Sequence, residues 1–226
     1  MLRFVCGVII TAFAVFGPFG RTAIAADLPD AASVKAVPLF EVDHYCEGVV
    51  FDHRGRGYVS HGKVIEQFTL DGQHKVWAET GAPNGHKILA DGTHLVCDAS
   101  QHAVLHLAAD GKLLEPASSE CDGKPLRGPN DLTLDAINGG FYFSDPGESS
   151  DVNPIGTVHY VDPQGKTHLV DSGLAFPNGI VLRPGGKRLL LAESKKNHVL
   201  AYDVLAPGKV GPRQVLAELP LKDTST

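Results

Sequence analysis

The sequence predicts an all-β chain of the β-propeller type. Three observations carry this: short apolar runs rich in Val, Ile, Leu, Phe and Tyr, tight-turn dipeptides between them, and an internal repeat of 46 to 48 positions. Past the first 25 residues no stretch sustains a helical period. Residues 48–51 pair by pattern with 57–59, 87–89 with 93–97, and 157–161 with 167–170. Asp71-Gly72, Asp91-Gly92, Asp110-Gly111 and Gly185-Gly186 supply the positive φ that tight hairpin loops require.

The repeat organises these strands. Pro83-Asn84-Gly85 opens one unit, Pro129-Asn130-Asp131 the next and Pro177-Asn178-Gly179 the one after, with 46 positions from Asn84 to Asn130 and 48 from Asn130 to Asn178. Each opening is followed by an apolar strand, a turn, a second apolar strand and an acidic residue: Asp98, Asp145 and Glu193 in turn. Two more short strands complete a unit, such as residues 199–203 followed by 213–219. Four strands per about 40–50 residues is the pattern of a propeller blade. Glu47-Gly48 starts a similar unit 37 positions before Asn84, with Glu in place of Asn. The innermost strand of every blade lines the central channel, so Glu47, Asn84, Asn130 and Asn178 are predicted to meet near the axis. A single Pro-Asn reads as a turn; three at matching repeat positions, with Glu at a fourth, read as a site.

The first residues carry a different signal. Met1-Leu2-Arg3 precedes a nearly unbroken apolar run over residues 4–19, and Ala23-Ile24-Ala25 has the small residues of a signal-peptidase site. The expected organisation is a signal peptide over 1–25, a leader over 26–39 and the propeller over 40–226. The product is expected to be exported, periplasmic or extracellular, with no stable membrane span after cleavage. Without Arg3 and Arg21, 18 basic side chains face 26 acidic ones, a net charge of −8. That balance argues against nucleic-acid binding and suits a protein that concentrates cations. Three cysteines remain, Cys46, Cys97 and Cys121; an oxidising compartment permits one disulfide, with Cys97–Cys121 the first pairing to test.

Glu47, Asn84, Asn130 and Asn178 offer one carboxylate and several amide carbonyls. Such a hard-oxygen set suits Ca²⁺ or Mg²⁺ better than the thiolates and imidazoles that zinc prefers. Cys46-Glu47-Gly48, the run from Asp122 through Arg127-Gly128-Pro129-Asn130-Asp131 to Leu132, Phe143-Ser144-Asp145-Pro146 and Phe176-Pro177-Asn178-Gly179-Ile180 resemble the blade openings of the SMP-30/gluconolactonase (regucalcin-like) family. The resemblance runs from about residue 40 to 220. It implies a six-bladed propeller that hydrolyses lactones with a divalent metal, expected to be Ca²⁺, with Mg²⁺ or Zn²⁺ as alternatives. It also implies metal-ligand roles for Glu47 and Asn178, a direct or substrate-bridging one for Asn130, and a substrate role for Asn84.

One part of the family pattern is missing. A further ligand and base is an Asp in a Pro-Asp-Gly opening due near positions 224–226, and no such motif stands before Thr226, the last residue. Asp223 lacks that setting, so the catalytic base is left unassigned. About four blades of six are therefore expected here. A truncated chain, a short form closed by self-association, or a miscounted blade are the three accounts.

Several other residues are weighed. His86, just after Asn84, is a candidate proton shuttle or substrate contact at the channel mouth, and Arg127 a candidate contact to a sugar-acid hydroxyl or carboxylate. His102 and His106 are spaced like a helical zinc pair, but residues 103–107 read as a strand, which would hold them more than about 12 Å apart. Asp98, Asp145 and Glu193 read as hairpin caps rather than a second ion site. No Gly-x-Ser-x-Gly is present. The function expected is metal-dependent hydrolysis of a sugar lactone or similar small ester; the alternative is a non-catalytic exported propeller that binds a ligand or acts as a scaffold.

Overall fold

The structure, a computed structural model, describes residues 4–7 and 30–220. The expected cleavage site around Ala25 lies outside the described residues. So does the C-terminal run from Leu221 to Thr226 with Asp223, where the family's Pro-Asp-Gly opening was due, and the catalytic base stays unassigned. Four antiparallel sheets follow one another along the chain. Blade I comprises Cys46–Phe51, Gly57–His61, Val64–Phe68 and His74–Glu79. Blade II comprises Pro83–Ile88, His94–Asp98 and Ala103–Leu107, and isolated bridges from Val104 to Ser118 and Leu107 to Leu113 stand where a fourth strand would run. Blade III comprises Leu132–Asp135, Gly140–Asp145, Gly156–Val161 and Thr167–Leu174. Blade IV comprises Pro177–Leu182, Arg188–Glu193, His198–Ala206 and Gln214–Glu218, with a short extra strand at Lys209–Val210. No α-helix occurs among the described residues. The strands and their grouping match the repeat read from the sequence.

Side chains alternate across a strand, and in blades II and III both faces are buried. In His94–Asp98, Val96 packs toward blade I with Tyr58, Ile65 and Leu105, while Leu95 and Cys97 pack toward blade III with Leu126, Leu132 and Phe143. One strand on, Tyr142 turns toward blade IV with Tyr160, Ile180, Leu191 and Tyr202, while Phe141 and Phe143 face blade II. Three apolar layers thus bind four blades face to face. Blade IV breaks the pattern: Leu189 and Leu191 are buried against blade III, whereas Leu190 and Ala192 are only half-buried and Gln214–Glu218 is exposed throughout.

A short ribbon precedes blade I. Phe4–Gly7 pairs antiparallel with Pro38–Val42, and Phe40 stacks on His74 with centroids 4.5 Å apart and leans on Phe68 at 5.3 Å. A second ribbon, Glu120–Cys121 with Lys124–Pro125, links blades II and III. Cys46, Cys97 and Cys121 are all free thiols, so the Cys97–Cys121 disulfide is not formed. Cys97 is fully buried in the layer between blades II and III, while the Cys121 sulfur lies 3.7 Å from the Thr167 carbonyl oxygen in blade III. Burial raises both thiols above their ordinary value, which keeps them protonated.

Turn carboxylates recur at the far ends of the hairpins. Asp91 accepts from the Thr93 N–H at 2.9 Å and the Thr93 hydroxyl at 2.8 Å, and these bonds hold its carboxyl below the usual range. Gly92 completes that turn at φ +84°. Between blades I and II lies a polar pair in an aromatic setting: His86 Nε2 is 2.7 Å from His94 Nδ1, with Tyr58 and Trp77 against both rings. His86 is 0% exposed and His94 2% exposed. Burial, followed by the neighbouring His94 and Lys87, pushes His86 well below its ordinary value. Burial likewise lowers His94 to about 4, with Asp52 opposing and Arg56 adding to the effect.

Both rings are therefore neutral in the folded protein, while an unfolded histidine takes up a proton near pH 6.5. The stability this neutral pair contributes is complete above that pH and is lost as pH falls toward 4. Thermal midpoints measured from pH 7 to pH 4 should decline, and His86→Leu/His94→Leu should flatten the decline; parallel slopes would show that the pair is not responsible. A second expectation concerns Gly48, which has φ +64° and where an added Cβ would strike the Asn84 carbonyl oxygen. Gly48→Ala should cost about 2–5 kcal/mol through left-handed strain and displaced backbone, read from urea midpoints. An unchanged midpoint would mean that blades I and II do not touch there.

Candidate metal centre at the inner strands

The four inner strands bring the repeat-equivalent residues side by side. The Gly48 site abuts the Asn84 carbonyl. The Gly85 N–H donates to the Asn130 carbonyl at 2.8 Å. The Asp131 Oδ2 accepts from the Ile180 N–H at 3.0 Å, and the Ser144 hydroxyl donates to the Asn178 carbonyl at 2.7 Å. Glu47, Asn84, Asn130 and Asn178 are each half-buried, which suits a row of side chains at a semi-open mouth. A register shift follows three of them, at Glu47/Val50, Pro83/His86 and Pro177/Ile180. Such bulges re-aim a side chain out of the regular alternation.

The Asn130 Oδ1 is buried and accepts no hydrogen bond from the protein. A buried acceptor left without a donor costs about 1–3 kcal/mol, so this oxygen fits a cation. Glu47 Oε1 accepts from the Tyr45 hydroxyl, and that bond holds Tyr45 up at about 12. Among the described residues no three His, Cys, Asp or Glu side chains gather into a metal-binding group. A mixed carboxylate and amide set is therefore what the inner strands offer, and it fits an oxygen-seeking ion such as Ca²⁺.

The other sequence candidates fall in different places. His86 is a correction: its ring lies in the layer between blades I and II, hydrogen-bonded to His94, and not at the channel mouth. The Pro83/His86 bulge accounts for this, because it breaks the i, i+2 alternation that would have put His86 beside Asn84. Arg127 is exposed and lines a cavity of about 230 Å³ together with Lys124, Asp145, His159 and Ser172. Its own N–H donates to Asp145 at 2.9 Å. Asp98, Asp145 and Glu193 act as caps, and they reach beyond their own hairpins. Asp98 accepts from the Gly81, Ala82 and Gln101 N–H groups, Asp145 from Arg127 and Gly128, and Glu193 from Ala175. Each ties the loop entering its blade to the end of the second strand. His102 and His106 flank or occupy the strand Ala103–Leu107 as expected, and His106 Nε2 lies 2.9 Å from the Thr93 hydroxyl.

Two residues at this centre escaped the sequence reading. Asp131 fills the repeat position held by Gly85 and Gly179, and its carboxylate lies among those inner strands, 3.9 Å from Lys87 Nζ. Ser144 sits one residue before the capping Asp145. The break from Pro-Asn-Gly to Pro-Asn-Asp was the available signal for the first.

Residues 47–225 match the family profile described as SMP-30/Gluconolactonase/LRE-like region. The chain is 24% identical over 204 residues to the diisopropyl-fluorophosphatase of Loligo vulgaris, covering 77% of this chain and 64% of that protein. Its fold resembles a solved gluconolactonase from Xanthomonas campestris with a TM-score of 0.70 at 23% identity, over 80% of this chain and 65% of that one. It also resembles a solved calcium-binding regucalcin from Agrobacterium tumefaciens with a TM-score of 0.60 at 20% identity, over 75% and 58%. The chain thus spans less than two thirds of the length of each of these proteins. With the matched profile covering most of its residues and the propeller-type sheets beneath it, the chain belongs to the SMP-30/gluconolactonase/LRE-like family.

Proposed function

We propose that this chain carries the metal-holding part of a lactone or small-ester hydrolase, with Glu47, Asn130 and Asn178 as its protein ligands. The observation that carries the reading is the orphaned Asn130 Oδ1, buried among inner strands whose equivalent positions hold Glu47 and Asn178. Two similar proteins support it, one bearing the name gluconolactonase and one described as calcium-binding. When bound, a divalent cation would supply Lewis-acid polarisation of a carbonyl and lower the pKa of the water it binds.

The chain's own residues set up that chemistry. Glu47 brings the one negative charge of the set, oriented by the Tyr45 hydroxyl. The Asn130 and Asn178 amides add neutral oxygens, so the site stays short of charge and retains attraction for an electron-rich substrate oxygen. Asn130 is held through its own carbonyl by the Gly85 N–H, and Asn178 through its carbonyl by Ser144. Arg127 and Lys124, both exposed, line the 230 Å³ cavity, whose lining includes none of the three ligands; Arg127, three residues before Asn130, is assigned to a hydroxyl or carboxylate of a sugar acid. Asn84, on the neighbouring inner strand, is assigned to the same substrate. Export from the cytoplasm, from the apolar run over residues 4–19, is part of the same proposal.

Calorimetry should show calcium binding that Glu47→Gln or Asn178→Ala weakens at least about 100-fold. Gluconolactone hydrolysis should be stopped by EDTA, restored by added Ca²⁺ and abolished in the same two variants. Arg127→Ala should raise KM about tenfold with kcat little changed, as for a contact made equally in ground and transition states. Turnover indifferent to EDTA would sink the metal reading, and calcium binding without turnover would favour the non-catalytic alternative.

A further inference from the structure

Asp131 and Ser144 together hold the Asn178 segment from both ends. Ser144 Oγ lies 2.7 Å from the Asn178 carbonyl, to which it donates, and 3.1 Å from the Asp131 N–H, from which it accepts. Two residues beyond Asn178, the Ile180 N–H donates to Asp131 Oδ2 at 3.0 Å. Asn130, directly before Asp131, is pinned in turn by its N–H to the Ser144 carbonyl at 2.9 Å and by its carbonyl to the Gly85 N–H at 2.8 Å. The register of blade IV is shifted between Pro177 and Ile180, so regular sheet pairing does not fix Asn178 there. The bonds from blade III do so instead. The position is one that glycine fills in blades I, II and IV, and Asp131 is the residue whose side chain can span to the next blade.

We propose that Asp131 is a positioning residue: its carboxylate oxygen and the Ser144 hydroxyl clamp the bulged Asn178-Gly179-Ile180 segment of blade IV against Asn130 of blade III, which fixes the spacing of two ligands. The inference rests on the metal reading above for what the spacing serves, but the clamp itself is a property of the apo chain. Residues that orient ligands from behind cost 10–100-fold in metal affinity when removed. What the clamp requires at position 131 is an acceptor oxygen of the right length, not a charge. Asparagine supplies that oxygen and alanine does not.

The test uses the full 226-residue chain as wild type, Asp131→Ala, Asp131→Asn and Ser144→Ala. Backbone hydrogen exchange over residues 177–182 is followed without metal, and calcium affinity is followed by calorimetry. The expected result is faster exchange over that segment and about 10–100-fold weaker calcium binding in Asp131→Ala, with both restored toward wild type in Asp131→Asn. Unchanged exchange in Asp131→Ala overturns the clamp. So does an Asp131→Asn variant as impaired as alanine, which would mean that the carboxylate charge acts directly on cation or substrate. If Asp131→Ala fails to fold, Ser144→Ala decides: it removes the bond to the Asn178 carbonyl, and unchanged exchange there refutes the proposal. A wild-type chain that binds no calcium removes the metal reading alone, because the exchange comparison still judges the clamp.

Discussion

Backbone-to-backbone contact between neighbouring inner strands is the constraint on which the rest of this molecule depends. Glycine at Gly48 and Gly85 removes the Cβ that would otherwise strike the next blade, and the Gly85 N–H then reaches the Asn130 carbonyl. Once the strands are that close, the apolar faces behind them have one way to pack, and the three layers running from Tyr58 to Tyr202 follow. The same closeness sets the strands that carry Glu47, Asn84, Asn130 and Asn178 side by side, although 131 positions separate the first residue from the last. Packing and the proposed site therefore share one cause.

At the inner mouth the polar groups are only partly paired within the protein. Asn130 Oδ1 has no donor, Glu47 has a tyrosine hydroxyl, and the Gly85 N–H is used between blades on the Asn130 carbonyl. At the ends of the second strands Asp98 accepts from three incoming N–H groups, Asp145 from two and Glu193 from one. These carboxylates are committed to tying down loops, most fully at Asp98. The proposed cation is what the oxygen atoms of this inner row would hold.

Most of the fold was legible in the chain because its period is long and its punctuation is strong. The Pro-Asn openings at 84, 130 and 178 set the blade register, and Asp-Gly turns such as Asp91-Gly92 marked the hairpins. Cap roles for Asp98, Asp145 and Glu193 were also readable, although the loops they tie down were not. What failed was anything that hangs on strand parity near a bulge. His86 stands two residues from Asn84 and would share its face in a regular strand, but the register shift sends it into the aromatic layer beside His94. A cysteine count could not reveal that Cys97 and Cys121 settle in separate environments, one among leucines and the other against Thr167. Asp131 escapes any reading that takes it as part of a motif, because its meaning lies in departing from one.

The last strand of blade IV has a consequence for the protein in concentrated solution. Gln214–Glu218 is exposed along its whole length, with Val215 52% and Leu216 53% accessible, and one of its edges has no partner strand among the described residues. An unpaired, aliphatic edge is a template on which another polypeptide can lay down hydrogen bonds, and natural sheets blunt such edges with lysine or proline. Here the only charge within the strand is Glu218, at its very end. A lysine at Val215 would blunt this edge by placing a charge in the middle of the strand.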